Sequence, residues 1–285
     1  MGDISRYYGL GERTFSGPIE FPGFNLSFNP DKTFLSTPIH WYGIIIVLGL
    51  ILAIILCMYL ARKNGLGEEA ILDVVIWATP ISVVFARIYY VVFRFDSYKD
   101  RLVDIFKIWE GGIAIYGCII GAVLTVIVYC RIKKVNTFKL LDTGCVGLAL
   151  GQAVGRWGNF VNREAFGGPA GSSVPWRMKL YTDSSMQTWA TVHPTFLYES
   201  LWNLALLVVL LKLTGKKKFD GQIFWLYLLG YGAGRFWIEM LRSDSLYIGS
   251  FKVSQLVALV TAAVAMAALI INTKRQNKVK TYKNI

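Results

Sequence analysis

The sequence predicts an all-α polytopic membrane protein of seven transmembrane helices, with amphipathic or irregular extracytoplasmic segments. Three observations carry this. Of 285 residues, 54% are hydrophobic and only 17% charged, with a mean hydropathy of +0.46. The apolar residues come in blocks close to the roughly 20 positions a helix needs to cross hydrocarbon. Basic residues gather in the short linkers between alternate blocks, so membrane topology accounts for the formal net charge of +12 and nucleic-acid binding is not expected.

Residues 1–38 lack the basic start, apolar run and small-residue cleavage site of a leader, and Pro18, Pro22, Pro30 and Pro38 interrupt any long helix. This stretch is expected to be an extracytoplasmic segment with interfacial aromatics. Spans are expected at 39–61, 71–93, 112–130, 140–160, 195–211, 221–239 and 253–272. Together they make a membrane domain over 39–272, with a polar outer segment at 162–193. Linkers after the first, third and fifth spans carry Arg62/Lys63, Arg131/Lys133/Lys134/Lys139 and Lys212/Lys216/Lys217/Lys218, and the tail 273–285 adds Lys274, Arg275, Lys278, Lys280 and Lys283. The alternate linkers balance bases with acids. The positive-inside rule then places the N-terminus outside and the basic tail in the cytoplasm. Cys57, Cys118, Cys130 and Cys145 lie in or beside apolar stretches without CxxC or metal-like spacing. They read as buried free thiols, and neither a metal site nor a soluble cofactor is expected.

With this orientation the unusual polar residues all fall in the outer half of the membrane. In GQAVGRWGNFVNREAFGG, residues 151–168, Gln152, Arg156 and Asn159 share one helical face. An intramembrane arginine pairs with something or lines a wet cavity. It could also anchor at the interface by snorkelling, but glycines at 151, 155 and 158 point to close backbone approach. In GYGAGRFWIEMLR, residues 230–242, Arg235, Glu239 and Arg242 fall at i, i+4 and i+7 of one face. Glu239 and Arg242 could be an internal ion-pair ladder or part of a ligand site. Arg235 lies at the depth of Arg156, and two arginine forks suit a phosphate between the fourth and sixth spans.

Two further stretches add candidates. In WEGGIAIYGCIIGA, residues 109–122, Gly111 and Gly112 are expected at a helix N-terminus able to receive an anion. Gly117 and Gly121 form a small-xxx-small pair suited to helix packing, and Tyr116 between them is placed to enter the cavity if they face a neighbour. In HPTFLYES, residues 193–200, His193 precedes the fifth span as either a structural loop histidine or a general base. His40 and Trp41 read as an interfacial belt, with Tyr42 able to reach inward.

The motifs HWYG (40–43), EGGIAIYGCIIG (110–121), GQAVGRWGNFVNREAFG (151–167), HPTFLYE (193–199) and YGAGRFWIEMLR (231–242), in this order and spacing, closely resemble the bacterial prolipoprotein diacylglyceryl transferase family. The resemblance covers nearly the full chain. It implies a seven-span inner-membrane enzyme that transfers the diacylglyceryl group of phosphatidylglycerol to the lipobox cysteine of a preprolipoprotein signal peptide, releasing glycerol phosphate in the first step of lipoprotein maturation. It also implies site roles for Tyr42, Arg156, Asn159, Glu164, Gly167, Arg235, Glu239 and Arg242. One position departs: where family members commonly carry a histidine in the third span, this chain has Tyr116.

Such chemistry needs an anion clamp and a means of favouring thiolate, and positive charge serves both. Arg156 and Arg235 are the expected phosphate ligands, Asn159 and Tyr42 orienting groups, and Tyr116 a positioning hydroxyl or tuned base. A tyrosine of ordinary pKa, about 10, is a poor base at neutral pH unless the same field lowers it. An anion transporter would instead spread polar groups across the bilayer, with an internal repeat. A headgroup hydrolase would share the clamp without the peptide.

Overall fold

A computed structural model describes residues 2–3, 15–35, 37–182, 186–243, 245, 247–249 and 251–283 of the protein, with side chains described from 15 to 278. Seven α-helices follow the seven apolar blocks: α1 (Trp41–Lys63), α2 (Glu69–Phe93), α3 (Ile115–Lys133), α4 (Thr137–Asn162), α5 (Thr195–Thr214), α6 (Gln222–Leu241) and α7 (Val253–Lys283). Five of them, α1, α2, α3, α5 and α7, are long and apolar enough to cross a membrane. Only 22% of the most apolar stretch of α1 is buried, and large side chains such as Val47, Trp77 and Val260 face outward. That is the surface of a protein whose solvent includes lipid. Much of the expected 1–38 segment, namely residues 1 and 4–14, and the side chains of Lys280 and Lys283 lie outside the described residues.

The chain divides into two compact units. The smaller, Cys57–Gly144, holds the whole α2–α3 pair. Gly117 and Gly121 let the two backbones meet, since a Cβ on Gly117 would lie 2.3 Å from the Phe85 carbonyl oxygen and one on Gly121 2.9 Å from Ser82 Cα. Their role is therefore helix packing. Cys57, Ala61, Ala70, Ile71, Cys130 and Leu140 form the unit's apolar core. Of the four cysteines, Cys57, Cys130 and Cys145 are buried and Cys118 is half-buried.

The expected start of the third span is corrected. Gly111 and Gly112 adopt φ of 89° and 74°, which keeps them out of the helix, and α3 begins three residues later at Ile115. Their carbonyls are engaged, and the Gly111 N–H is spent on Ile108 O (3.2 Å). Buried Arg87 donates from Nη1 to the Gly111 and Gly112 oxygens (2.7 and 2.9 Å), from Nε to Ile105 O (2.7 Å) and from Nη2 to Asp104 O (2.6 Å). The glycine pair is thus a loop pinned by a satisfied arginine and does not offer an anion site.

The larger unit joins 1–56 to 145–285. Here α6 packs on α5 and α7 through small residues, with the Gly232 backbone close against Ala258 and Ala262. Seven short strands are present among the described residues: β1 (Gly2–Asp3), β2 (Ser16–Phe21), β3 (Leu26–Phe28), β4 (Met178–Tyr181), β5 (Thr188–Val192), β6 (Tyr247–Ile248) and β7 (Phe251–Lys252). The first five make one sheet in the order β1-β5-β4-β2-β3, with β1 parallel to β5 and the other pairs antiparallel. This corrects the expectation of amphipathic or irregular outer segments. Ile19, Phe21, Met178, Leu180, Ala190 and Val192 alternate onto one buried face. There they meet Phe166 and, from α5, Phe196. Arg163, 5% exposed, locks the N-terminal segment beside the end of α4 by donating to Gly17 O from Nε (2.9 Å) and Nη2 (2.6 Å), and to Pro30 O from Nη2 (3.1 Å).

Candidate active site

The ends of α4 and α6 and the start of α5 bring three arginines and two glutamates together within the larger unit. Glu199, on the first turns of α5, forms an ion pair with Arg156 Nη2 through Oε2 (2.7 Å) and accepts from Arg235 Nη1 (3.1 Å) and Arg242 Nη1 (3.0 Å) at Oε1. Glu239 Oε2 lies 2.7 Å from Arg235 Nη2 and 3.9 Å from Arg242 Nε, at ion-pair distance but outside hydrogen-bond alignment. Both carboxylates are almost wholly buried, while the Arg156 side chain keeps 24% of its surface exposed. Guanidinium groups in such a place need counterions to remain there charged. Among the described residues three of them stand against two carboxylates, an excess of one positive charge, with Arg156 the most open. The cluster can therefore hold one further anion, its forks already oriented.

Arg242 corrects a detail of the sequence reading. Helix α6 ends at Leu241, and Arg242 is extended, bridging to Gly167. It reaches Glu199 from a strand-like position, not as the next rung of a helical face. This crossing explains Gly167: a Cβ there would lie 2.7 Å from His193 Cβ and 2.8 Å from Leu241 O, so three chain segments meet where only glycine fits. Gly167 N donates to His193 O (2.8 Å) and Gly168 N to Leu241 O (2.6 Å).

Asn159 accepts from Arg156 Nη1 (3.2 Å) and donates from Nδ2 to Glu164 Oε1 (2.9 Å), so a chain of contacts runs from the arginine cluster to an exposed carboxylate. Gln152 accepts from the Tyr227 hydroxyl (3.1 Å), which ties α4 to α6. Tyr42, in the first turn of α1, packs against Gly158, where an added Cβ would come within 2.8 Å of its ring. His193 is half-buried, with Nδ1 3.2 Å from the Tyr198 hydroxyl, which also accepts from Trp176 Nε1 (2.7 Å). Burial holds its imidazole below the ordinary 6.5, so it is neutral at pH 7. Tyr116 belongs to the smaller unit, half-buried with its ring centroid 6.3 Å from that of Tyr89.

The residue sequence reasoning passed over is Glu199, the carboxylate all three arginines share. It stands in a run where Tyr198 and Ser200 are also polar, so nothing local sets it apart. The signal lies in arithmetic: arginines on two other apolar helices require an acid at their level, and Glu199 is the acid on α5.

A family model described as prolipoprotein diacylglyceryl transferase matches residues 32–271. Among curated relatives, a phosphatidylglycerol–prolipoprotein diacylglyceryl transferase of Listeria innocua is 43% identical over 250 residues, covering 85% of this chain and 88% of the relative. One of the same name from Finegoldia magna is 44% identical over 242 residues, covering 85% and 93%. A third, from Lysinibacillus sphaericus, is 42% identical over 241 residues, covering 82% and 88%. With the motifs that build the arginine cluster inside the matched region, the chain belongs to the prolipoprotein diacylglyceryl transferase family.

Proposed function

We propose that this chain transfers the diacylglyceryl group of phosphatidylglycerol to the lipobox cysteine thiol of a preprolipoprotein signal peptide, the first step of lipoprotein maturation. The observation that carries it is the cluster of Arg156, Arg235 and Arg242 on Glu199 and Glu239, in which Arg156 is the most open guanidinium. The cysteine loses its proton, its sulfur attacks the primary carbon of the diacylglyceryl glycerol, and an S–C bond forms as the C–O bond to phosphate breaks. Glycerol phosphate leaves carrying the electron pair of that bond. Arg156 and Arg235 bind the phosphate, and their charge stabilises it as it departs. Asn159 holds the Arg156 fork and Glu164 holds Asn159, while Glu199, Glu239 and Arg242 keep the forks aimed. Tyr42 orients the lipid, and Gly167 and His193 shape the wall. Tyr116 acts as a positioning hydroxyl or tuned base. Arginine supplies the positive charge this displacement needs, so the proposal includes no metal and no soluble cofactor.

All seven helices cross the bacterial inner membrane in this reading, with the N-terminus outside and the tail cytoplasmic. Polarity keeps α4 and α6 from standing out as apolar spans, and that polarity belongs to the site they carry. Mass spectrometry on a lipobox peptide incubated with purified protein and phosphatidylglycerol tests the reaction. A diacylglyceryl mass gain on cysteine, absent from a Cys→Ser peptide, is the expected result; glycerol phosphate released without peptide modification would instead make the chain a headgroup hydrolase. Arg156→Lys, which keeps charge and loses the fork, should slow the reaction about a hundredfold. Tyr116→Phe decides between its roles and none: undiminished activity removes the hydroxyl from the mechanism.

A further inference from the structure

A second polar group on α5 faces the arginine cluster and takes no part in its ion pairs. Asn203 lies four residues after Glu199, on the same face and about 6 Å further along the helix. Its side chain is buried, at 2% exposure for the residue, and Oδ1 has no hydrogen-bond partner among the described residues. Buried amide oxygens are nearly always paired, because an unpaired one keeps its full desolvation penalty. Asn203 lines a small chamber together with Glu199, Arg235 and Tyr231. The inner part has room for one oxygen-sized group. Its walls are fixed: Trp202 donates from Nε1 to Gly230 O (2.9 Å) and fills the space over Gly234, and the Tyr231 ring stacks on Tyr227 at 5.8 Å.

We infer that this chamber is a hydroxyl subsite, in which Asn203 Oδ1 accepts a hydrogen bond from a single O–H group beside the arginine cluster. The inference rests on the proposed function. A phosphate held by Arg235 at the level of Glu199 leaves the hydroxyls of a glycerol headgroup four or five bonds away, a reach comparable to one helical turn. The same O–H can come from a resident water, and the two sources are separable. Asn203 is then the residue that reads the polyol headgroup, or the one that seats a water against Arg235 and Glu199.

The test uses the full-length protein in phosphatidylcholine vesicles containing phosphatidylglycerol or its deoxy analogues, whose headgroups are 1,2-propanediol and 1,3-propanediol. Lipobox peptide modification is followed for the unsubstituted protein, Asn203→Leu and Asn203→Ala, alongside their thermal midpoints. A headgroup source gives about a tenfold preference for phosphatidylglycerol over one analogue, collapsing toward unity in both variants. That ratio is internal to each preparation and independent of how much of it is folded. A water source gives no such preference, and Asn203→Leu slows all three lipids equally, about tenfold, at an unchanged midpoint, while Asn203→Ala, with room for another water, recovers part of the rate. Variants as active as the unsubstituted protein, an intact preference in Asn203→Leu, or an equal loss accompanied by a lower midpoint would each overturn the subsite. Absence of phosphatidylglycerol turnover by the unsubstituted protein would overturn the proposed function itself, and the subsite with it.

Discussion

Glu199 holds three guanidinium groups that would otherwise repel one another in a poorly solvated place. Removing one partner of a buried ionic network leaves its counter-charges uncompensated, a loss of about 3–5 kcal/mol. Glu199→Gln should sit near the lower end of that range because Arg156 keeps contact with solvent, and it should abolish transfer by letting the forks turn away. Thermal unfolding in detergent and the peptide assay report the two effects separately. His193 gives a pH signature at the same scale. Its imidazole is held low by burial, so on acidification the unfolded chain takes up its proton before the folded one does. Stability then rises with pH: the contribution of His193 is complete above about 6.5 and is lost as pH falls through the lower folded value. A series of thermal midpoints from about pH 7.5 to about pH 5 should show this slope, and His193→Gln should flatten it.

At the scale of the element, helix contacts are set by where side chains are missing. In the α2–α3 pair a Cβ on Gly117 would stand 2.3 Å from a backbone oxygen and 2.8 Å from Ala86 Cα, neither of which can rotate away. Gly117→Ala should force the helices apart and cost about 1–3 kcal/mol. Gly144→Ala, where an added Cβ meets nothing within 4 Å, is the matched control and should leave the thermal midpoint near that of the unsubstituted protein. The sheet follows another logic. Strands of two to six residues bury their alternating face only because β2 and β4 pair, and Arg163 ties the arriving segment to Gly17 and Pro30.

At the scale of the whole molecule, the basic linkers after α1, α3 and α5 make the orientation testable. In a background with the four native cysteines replaced, Gly171→Cys and Gly215→Cys introduce thiols where the new side chain has room. An impermeant maleimide should label the first from the periplasmic side of intact cells without an outer membrane barrier, and the second only in inside-out vesicles. The reverse pattern would invert the proposed topology.

Seven helices were legible in the sequence, to within a few residues at each end except that α7 runs on to Lys283 where its span was expected to end at 272, because a twenty-residue apolar run has one stable solution in lipid, with its backbone bonds made internally. Arg156, Asn159, Arg235 and Glu239 were legible for a related reason: polar groups in such runs are costly and stand out. The sheet was not, since its partners at 16–28 and 178–192 are separated by four helices and no local pattern announces the pairing. Nor was the departure of Arg242 from the helix, which depends on Gly167 meeting Leu241 and His193. By itself, then, the sequence determined the membrane class, the helices, the polar candidates and the family, all of which rest on solvation and local order along the chain. Only the tertiary structure decided that three arginines converge on Glu199 and that Asn203 Oδ1 has no partner among the described residues. Ion pairing and cavity walls depend on which helix faces meet, and that is a property of packing between residues far apart in sequence.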